Sequence, residues 1–173
     1  MLKTKHWKLY IVTLVLFVVY LLLLVWVILF KMEFSLKTLR IAVRAYNLIP
    51  FHYDVEHNVR FHVSEVLGNV LAFIPAGIYM ELLFRRMSLW KKIALIFIFS
   101  LEMECVQYLL WIGRFDITDL ITNTAGGCAG IAVYRIGSAL IRDGRKSERW
   151  IAILINVLTI LVAGGLCAIV FMG

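Results

Sequence analysis

Apolar residues run through this chain in five long blocks, each separated from the next by charged clusters. Leu9–Phe30 carries no charge and follows Lys3, Lys5 and Lys8. The later blocks are Val66–Phe84, Ile93–Ile112, Ile117–Tyr134 and Trp150–Met172. About 18 or more apolar residues can cross the hydrocarbon of a bilayer as a helix. The pattern therefore predicts an all-α, polytopic transmembrane helix bundle of about five spans. Pro75 and Gly77 lie inside the second span. Proline there removes a backbone donor and bends the helix, which membrane bundles tolerate when neighbouring groups satisfy the freed carbonyl.

A cleaved signal peptide is the rival reading of the first block. Its apolar part would be about 7–15 residues long and end in small residues, whereas this block is longer and ends in Lys31-Met32-Glu33. A retained span is expected. Composition agrees: the 173 residues are 62% hydrophobic, with a mean hydropathy of +0.90, against about 45–50% apolar in soluble domains. The length suits one bundle, 1–173, with no second domain.

The net charge of +7 would suggest nucleic acid in a soluble protein. Here the basic residues flank apolar blocks, so they carry topology instead and no nucleic-acid partner is expected. With the N-terminus inside, inner segments hold twelve Lys and Arg and outer segments six, which favours a cytoplasmic N-terminus. Lys91, Lys92, Arg85 and Arg86 count here as one inner connection. Cys105, Cys128 and Cys167 lie apart within apolar blocks and read as small lipid- or core-facing residues, neither a disulfide framework nor a metal set. No cofactor is expected.

The long connection, about residues 31–65, repeats Leu36, Leu39 and Val43 at helical spacing. A short amphipathic helix on the outer leaflet and a solvated loop fit equally. His52, Asp54, His57 and His62 match no strong metal signature.

Polar residues interrupt the middle spans: Asn69; then Ser100, Glu102, Glu104 and Gln107; then Asp119 and Asn123, entered through Arg114 and Asp116. Acids at membrane depth are costly, face the bundle interior and mark functional sites by default. In the third span, eleven Leu, Ile, Phe and Val residues contribute on the order of −5 kcal/mol to insertion, against roughly 5–7 kcal/mol for two central acids. The acids are therefore expected to be paired or protonated in the bundle. Ser100, Glu104 and Gln107 share one helical stripe, and Asp116, Asp119 and Asn123 another. Glu102 is off the first stripe and reads as a partner for a neighbouring polar group. At about 1.5 Å per residue the stripes and Asn69 meet in the outer half of the spans, with Arg114 at the rim. Two readings follow: a polar cavity opening outward, or an interhelical hydrogen-bond network that locks the bundle. The inner halves offer only Glu81, so no polar route across both leaflets is expected. Gly126 and Gly130 form a small-xxx-small pair that admits a close helix, whose identity the sequence does not give.

Four blocks, in order, resemble the VanZ-like family of small bacterial membrane proteins. They are residues 44–51, Arg-Ala-Tyr-Asn-Leu-Ile-Pro-Phe, which include Pro50; residues 68–77, Gly-Asn-Val-Leu-Ala-Phe-Ile-Pro-Ala-Gly; Ser100 followed by Glu104-Cys105-Val106-Gln107; and Gly113-Arg114-Phe115-Asp116-Ile117-Thr118-Asp119 followed by Asn123-Thr124 and Gly126-Gly127. Glu102 is outside this pattern. The resemblance covers about residues 44–130 and implies a link to resistance against the lipoglycopeptide teicoplanin, without implying a reaction. It also implies that the outward polar cluster is a family feature. On that reading Asn69, Gln107 and Asn123 hydrogen-bond a head group, while Arg114 pairs with its phosphate or carboxylate. Glu104, Asp116 and Asp119 set the charge and hold Arg114. The ligand would be a lipoglycopeptide antibiotic or a lipid-linked cell-wall precursor. The alternatives are a membrane enzyme using the acids on lipid-linked envelope intermediates, and a scaffold for cell-wall enzymes.

Overall fold

The computed structural model describes residues 2–30, 46–51, 59–141 and 143–172. Among the described residues five helices form, one for each apolar block: α1 Leu2–Phe30, α2 Val59–Leu83, α3 Leu89–Leu109, α4 Ile117–Leu140 and α5 Gly144–Met172. Most run past the apolar blocks, because the polar residues that flank those blocks continue the helix. Two ends fall short: α2 stops one residue before Phe84, and α3 three residues before Ile112. There Leu110 caps the helix, Trp111 turns into the left-handed region at φ 60°, and the Ile112 N–H donates back to the Gln107 carbonyl at 3.2 Å. This is the Schellman ending, with tryptophan where glycine is usual.

Short turns join α2 to α3, α3 to α4 and α4 to α5; α4 packs against both α2 and α3, while α2 and α3 have few close approaches. The lower end of the bundle holds the start of α1 and the α2–α3 and α4–α5 turns. The upper end holds the α3–α4 turn and a pair of two-residue strands, β1 Tyr46–Asn47 and β2 Phe115–Asp116, paired in parallel with Asn47 opposite Asp116. Leu36, Leu39 and Val43, where a short amphipathic helix or a solvated loop is expected, lie outside the described residues, as do His52, Asp54 and His57 and the His62 side chain.

The tightest pairing is between α2 and α4, and glycine makes it possible. A Cβ on Gly130 would stand 2.0 Å from the Ile74 carbonyl oxygen, one on Gly126 2.3 Å from that of Val70, and one on Gly77 2.0 Å from that of Gly127. The small-residue stripe of α4 therefore receives α2, backbone against backbone. Pro75 sits inside α2 without ending it. Tyr20 of α1 donates to the Ala72 carbonyl at 2.5 Å, one residue from the carbonyl that Pro75 leaves without a helical partner. Tyr20, Leu24, Phe73, Tyr79, Ile96, Ile131 and Ile155 build the apolar core around this seam.

Among the described residues, three helical stretches are long and apolar enough to cross a membrane: Trp7–Leu29, Val63–Leu83 and Lys146–Ala168. Helices α3 and α4 are long but carry the polar residues. Cys105 and Cys167 are exposed on the bundle and Cys128 is half-buried, all as free thiols.

Candidate functional site

The polar layer forms at the upper end, where α2, α3 and α4 meet β1 and β2. Its hub is Asp116. Extended at φ −128°, it caps α4, its carboxylate accepting the Thr118 N–H at 2.9 Å. An acid here satisfies an otherwise orphaned amide and complements the positive end of the helix. The Asn47 amide donates to both Asp116 oxygens at 3.3 and 3.2 Å, and Arg114 lies 3.3 Å from one of them. The Asp116 N–H itself donates to Glu104 of α3 at 2.9 Å. Motif residues distant in sequence thus converge on one carboxylate and one amide.

The remaining predicted residues lie around this hub. Asn69 of α2 donates to Asp119 at 2.8 Å and to the Thr122 hydroxyl at 3.5 Å. Asn123 donates to Ser100 across the α3–α4 contact at 3.0 Å. Gln107 donates to the Ile28 carbonyl of α1 at 2.9 Å. The stripe of Ser100, Glu104 and Gln107 is 0%, 1% and 2% exposed, and Asn123 is 1% exposed, so these four are closed inside the bundle. Asn69 and Asp119 are half-buried, and the Arg114 side chain is 47% exposed. The Oδ1 atom of Asn123 is the one described buried side-chain oxygen or nitrogen without a hydrogen-bond partner.

The same end of the bundle exposes apolar side chains. Tyr46, Leu48, Ile49 and Phe51 on the β1 side, with Leu110 and Trp111 on the α3–α4 turn, are all exposed. The Phe51 N–H donates to the Thr118 hydroxyl at 3.0 Å, which ties this segment to the start of α4.

Glu102 departs from its expected role. It is exposed on the outside of α3 and has no partner among the described residues, because the residue two places from Glu104 points away from the stripe. Asn47 is a positioning residue that single-residue reasoning missed, although its block was noted; pairing with a position 69 residues away leaves no local periodicity.

The lower half is more polar than the sequence suggested. Lys92 is 1% exposed and bonded to Glu81 at 2.8 Å, and Arg135 reaches the other Glu81 oxygen at 2.7 Å. Lys92 is thus an interior group rather than a loop cation. The Tyr79 hydroxyl joins Thr159 at 2.8 Å and donates to Asn156 at 3.4 Å, while Asn156 donates to Thr13 of α1 at 3.0 Å. Threonine and tyrosine hide in an apolar block, and Asn156 stands alone in the fifth span, so neither broke the hydrophobic pattern. Glu81 is therefore not the only polar group below the midpoint. Below it, Arg85 pairs with Glu148 and donates to Tyr134 at 2.8 Å. Burial works against the Arg85 charge, but these bonds outweigh it and raise its pKa.

The VanZ/LLP1 family pattern matches residues 17–141, from within α1 to the end of α4. The chain belongs to the VanZ/LLP1 family. It is 33% identical over 144 residues to Protein VanZ of Enterococcus faecium, covering 83% of this chain and 84% of that protein. No solved structure matches it significantly. The matched region holds every residue of the VanZ/LLP1 polar layer and the glycine seam, whereas α5 lies beyond it. Among the described residues, no group of three His, Cys, Asp or Glu side chains is placed to hold a metal ion.

Proposed function

We propose that this protein is a multi-pass protein of the bacterial cell membrane that lowers susceptibility to lipoglycopeptides such as teicoplanin, through an amphiphile site at its upper, outward-facing end. The observation that carries the reading is Arg114: a half-exposed guanidinium held by Asp116, at the end of the bundle where Tyr46, Phe51, Leu110 and Trp111 are also exposed. A guanidinium presents a planar fork to phosphate or carboxylate, and the exposed apolar side chains suit a lipid tail. Asn69 and Asp119 lie at the accessible margin. Glu104, Gln107, Ser100 and Asn123 act from below as the frame that holds the site.

All five helices cross the bilayer in this reading. The 21 residues of α3 and 24 of α4 reach about 30 Å or more at 1.5 Å per residue. Their charged groups sit in the bundle or near its ends, apart from Glu102. The Lys and Arg bias puts the lower end in the cytoplasm. Catalysis has less support, because Asp116 is engaged as a helix cap and Glu104 holds a backbone amide.

The test is expression in a sensitive Gram-positive host, with teicoplanin and vancomycin measured in parallel. Protection selective for teicoplanin, lost in Arg114→Ala and Asp119→Asn at wild-type membrane level, is expected. Full protection in both variants would remove the site.

A further inference from the structure

A second site lies at the opposite end of the bundle. An open cavity of about 910 Å³ is bounded by the start of α1, the α2–α3 turn and the start of α5. Its basic lining residues are Arg85, Arg86, Lys91 and Arg149, and its acid is Glu148. Glu148 is committed to Arg85. Arg86, Lys91 and Arg149 are exposed and have no carboxylate partner among the described residues. The Ser88 hydroxyl, at the N-cap of α3, makes no capping bond and also lines the cavity. The helices α3 and α5 both begin here, so their positive ends add to the field.

The remaining wall is apolar, with Leu9, Tyr10, Leu82, Phe84 and Met87. The cavity therefore pairs a cationic mouth with a hydrocarbon-lined side. Its level is marked by Trp7, Trp90 and Trp150, which are 63%, 78% and 58% exposed, one each on α1, α3 and α5. Each stands beside a basic residue, Lys8, Lys91 or Arg149. Tryptophan at this register is the mark of a membrane–water interface.

We infer that the lower cavity binds an anionic phospholipid of the inner leaflet, its phosphate held by Arg86, Lys91 and Arg149 and its acyl chains against the α1 and α2 wall. Basic pockets between transmembrane helices on the cytoplasmic side suit such head groups. The Thr13 side of the cavity connects to the buried Asn156, Tyr79 and Thr159 network, so an occupied cavity would brace α1, α2 and α5 together.

The full-length protein, purified in neutral detergent, is titrated with short-chain phosphatidylglycerol, phosphatidylcholine or inorganic phosphate while thermal unfolding is followed. Phosphatidylglycerol should raise the melting temperature in a saturable way, and the other two should not. Arg86→Gln/Lys91→Gln should weaken the apparent affinity about 25-fold, about fivefold per cation, with the lipid-free melting temperature unchanged. Arg149→Gln, on a different helix, should weaken it about fivefold and stands in if the double variant folds poorly. Equal stabilisation by phosphatidylcholine, or unchanged affinity in the variants, would overturn the inference. Inorganic phosphate acting as well as the lipid would replace it with a free-anion site.

Discussion

The Glu104 carboxylate accepts the backbone N–H of Asp116 at 2.9 Å, joining the upper part of α3 to the residue that starts α4. A buried amide without its acceptor costs about 1–3 kcal/mol. Glu104→Ala should therefore lose about that much stability, while Glu104→Gln, which keeps an acceptor oxygen, should lose clearly less. Thermal unfolding in detergent compares them. Equal losses would mean that the charge of Glu104, rather than this bond, is what the bundle needs.

The α2–α4 seam gives a sharper contrast among glycines. A methyl group at Gly130 or Gly77 would meet backbone at 2.0 Å, and nothing lies within 4 Å of one at Gly164. Backbone cannot move aside as a flexible side chain can. Gly130→Ala and Gly77→Ala should each cost about 3 kcal/mol or more, the upper range for overpacking, with loss of the folded fraction by size-exclusion chromatography. Gly164→Ala, in the interior of α5, should be neutral or slightly stabilising. A folded Gly130→Ala protein with unchanged melting temperature would show that α2 and α4 do not approach this closely.

Glu81, Lys92 and Arg135 supply a test of buried charge. Lys92 is 1% exposed with its ammonium 2.8 Å from Glu81. Removing one member leaves a charge uncompensated, at about 3–5 kcal/mol. Glu81→Gln should be strongly destabilising, and Glu81→Gln/Lys92→Met should recover much of the loss, because an apolar replacement of a buried pair is often close to neutral. A double variant as unstable as the sum of the singles would argue that Arg135 is the partner that matters.

These contacts show what the sequence could and could not reveal. Five apolar blocks became five helices, and the stripe of Ser100, Glu104 and Gln107 points inward, as do Asp116 and Asn123 of the second stripe, while Asp119 is half-buried at its margin, because helical periodicity fixes which side chains share a face. The partners were less legible. Gly126 and Gly130 announced a close helix, but only three-dimensional packing identifies α2. Asn47 finds Asp116 through a parallel strand pair that leaves no periodic trace. Lys92 counted as a loop cation because it adjoins Lys91, yet one step along a helix rotates its side chain about 100°, from the surface into the interior.

Trp111 occupies a left-handed position, φ 60°, at the end of α3. For a residue with a Cβ this conformation costs about 1–2 kcal/mol, which glycine avoids. Trp111→Gly should ease the turn, offset by loss of the tryptophan contacts, and leave the melting temperature equal or higher. Trp111 is one of the exposed apolar residues of the proposed site, so teicoplanin protection should fall at the same time. Stability maintained with protection lost would mark a side chain kept for its surface at the expense of its backbone.

The last contrast separates frame from ligand contact at Asn123. Its amide donates to Ser100 at 3.0 Å, its Oδ1 has no partner among the described residues, and it is 1% exposed. Replacing both members of a buried hydrogen bond by apolar groups of similar shape can be nearly neutral. Ser100→Ala/Asn123→Leu should therefore stay within about 1 kcal/mol of the parent, whereas Asn123→Leu alone should cost more by stranding the Ser100 hydroxyl. As part of the frame, the double variant should retain teicoplanin protection. A folded double variant without protection would instead make the unpartnered oxygen of Asn123 a ligand contact and extend the site from the Arg114 rim down into the bundle.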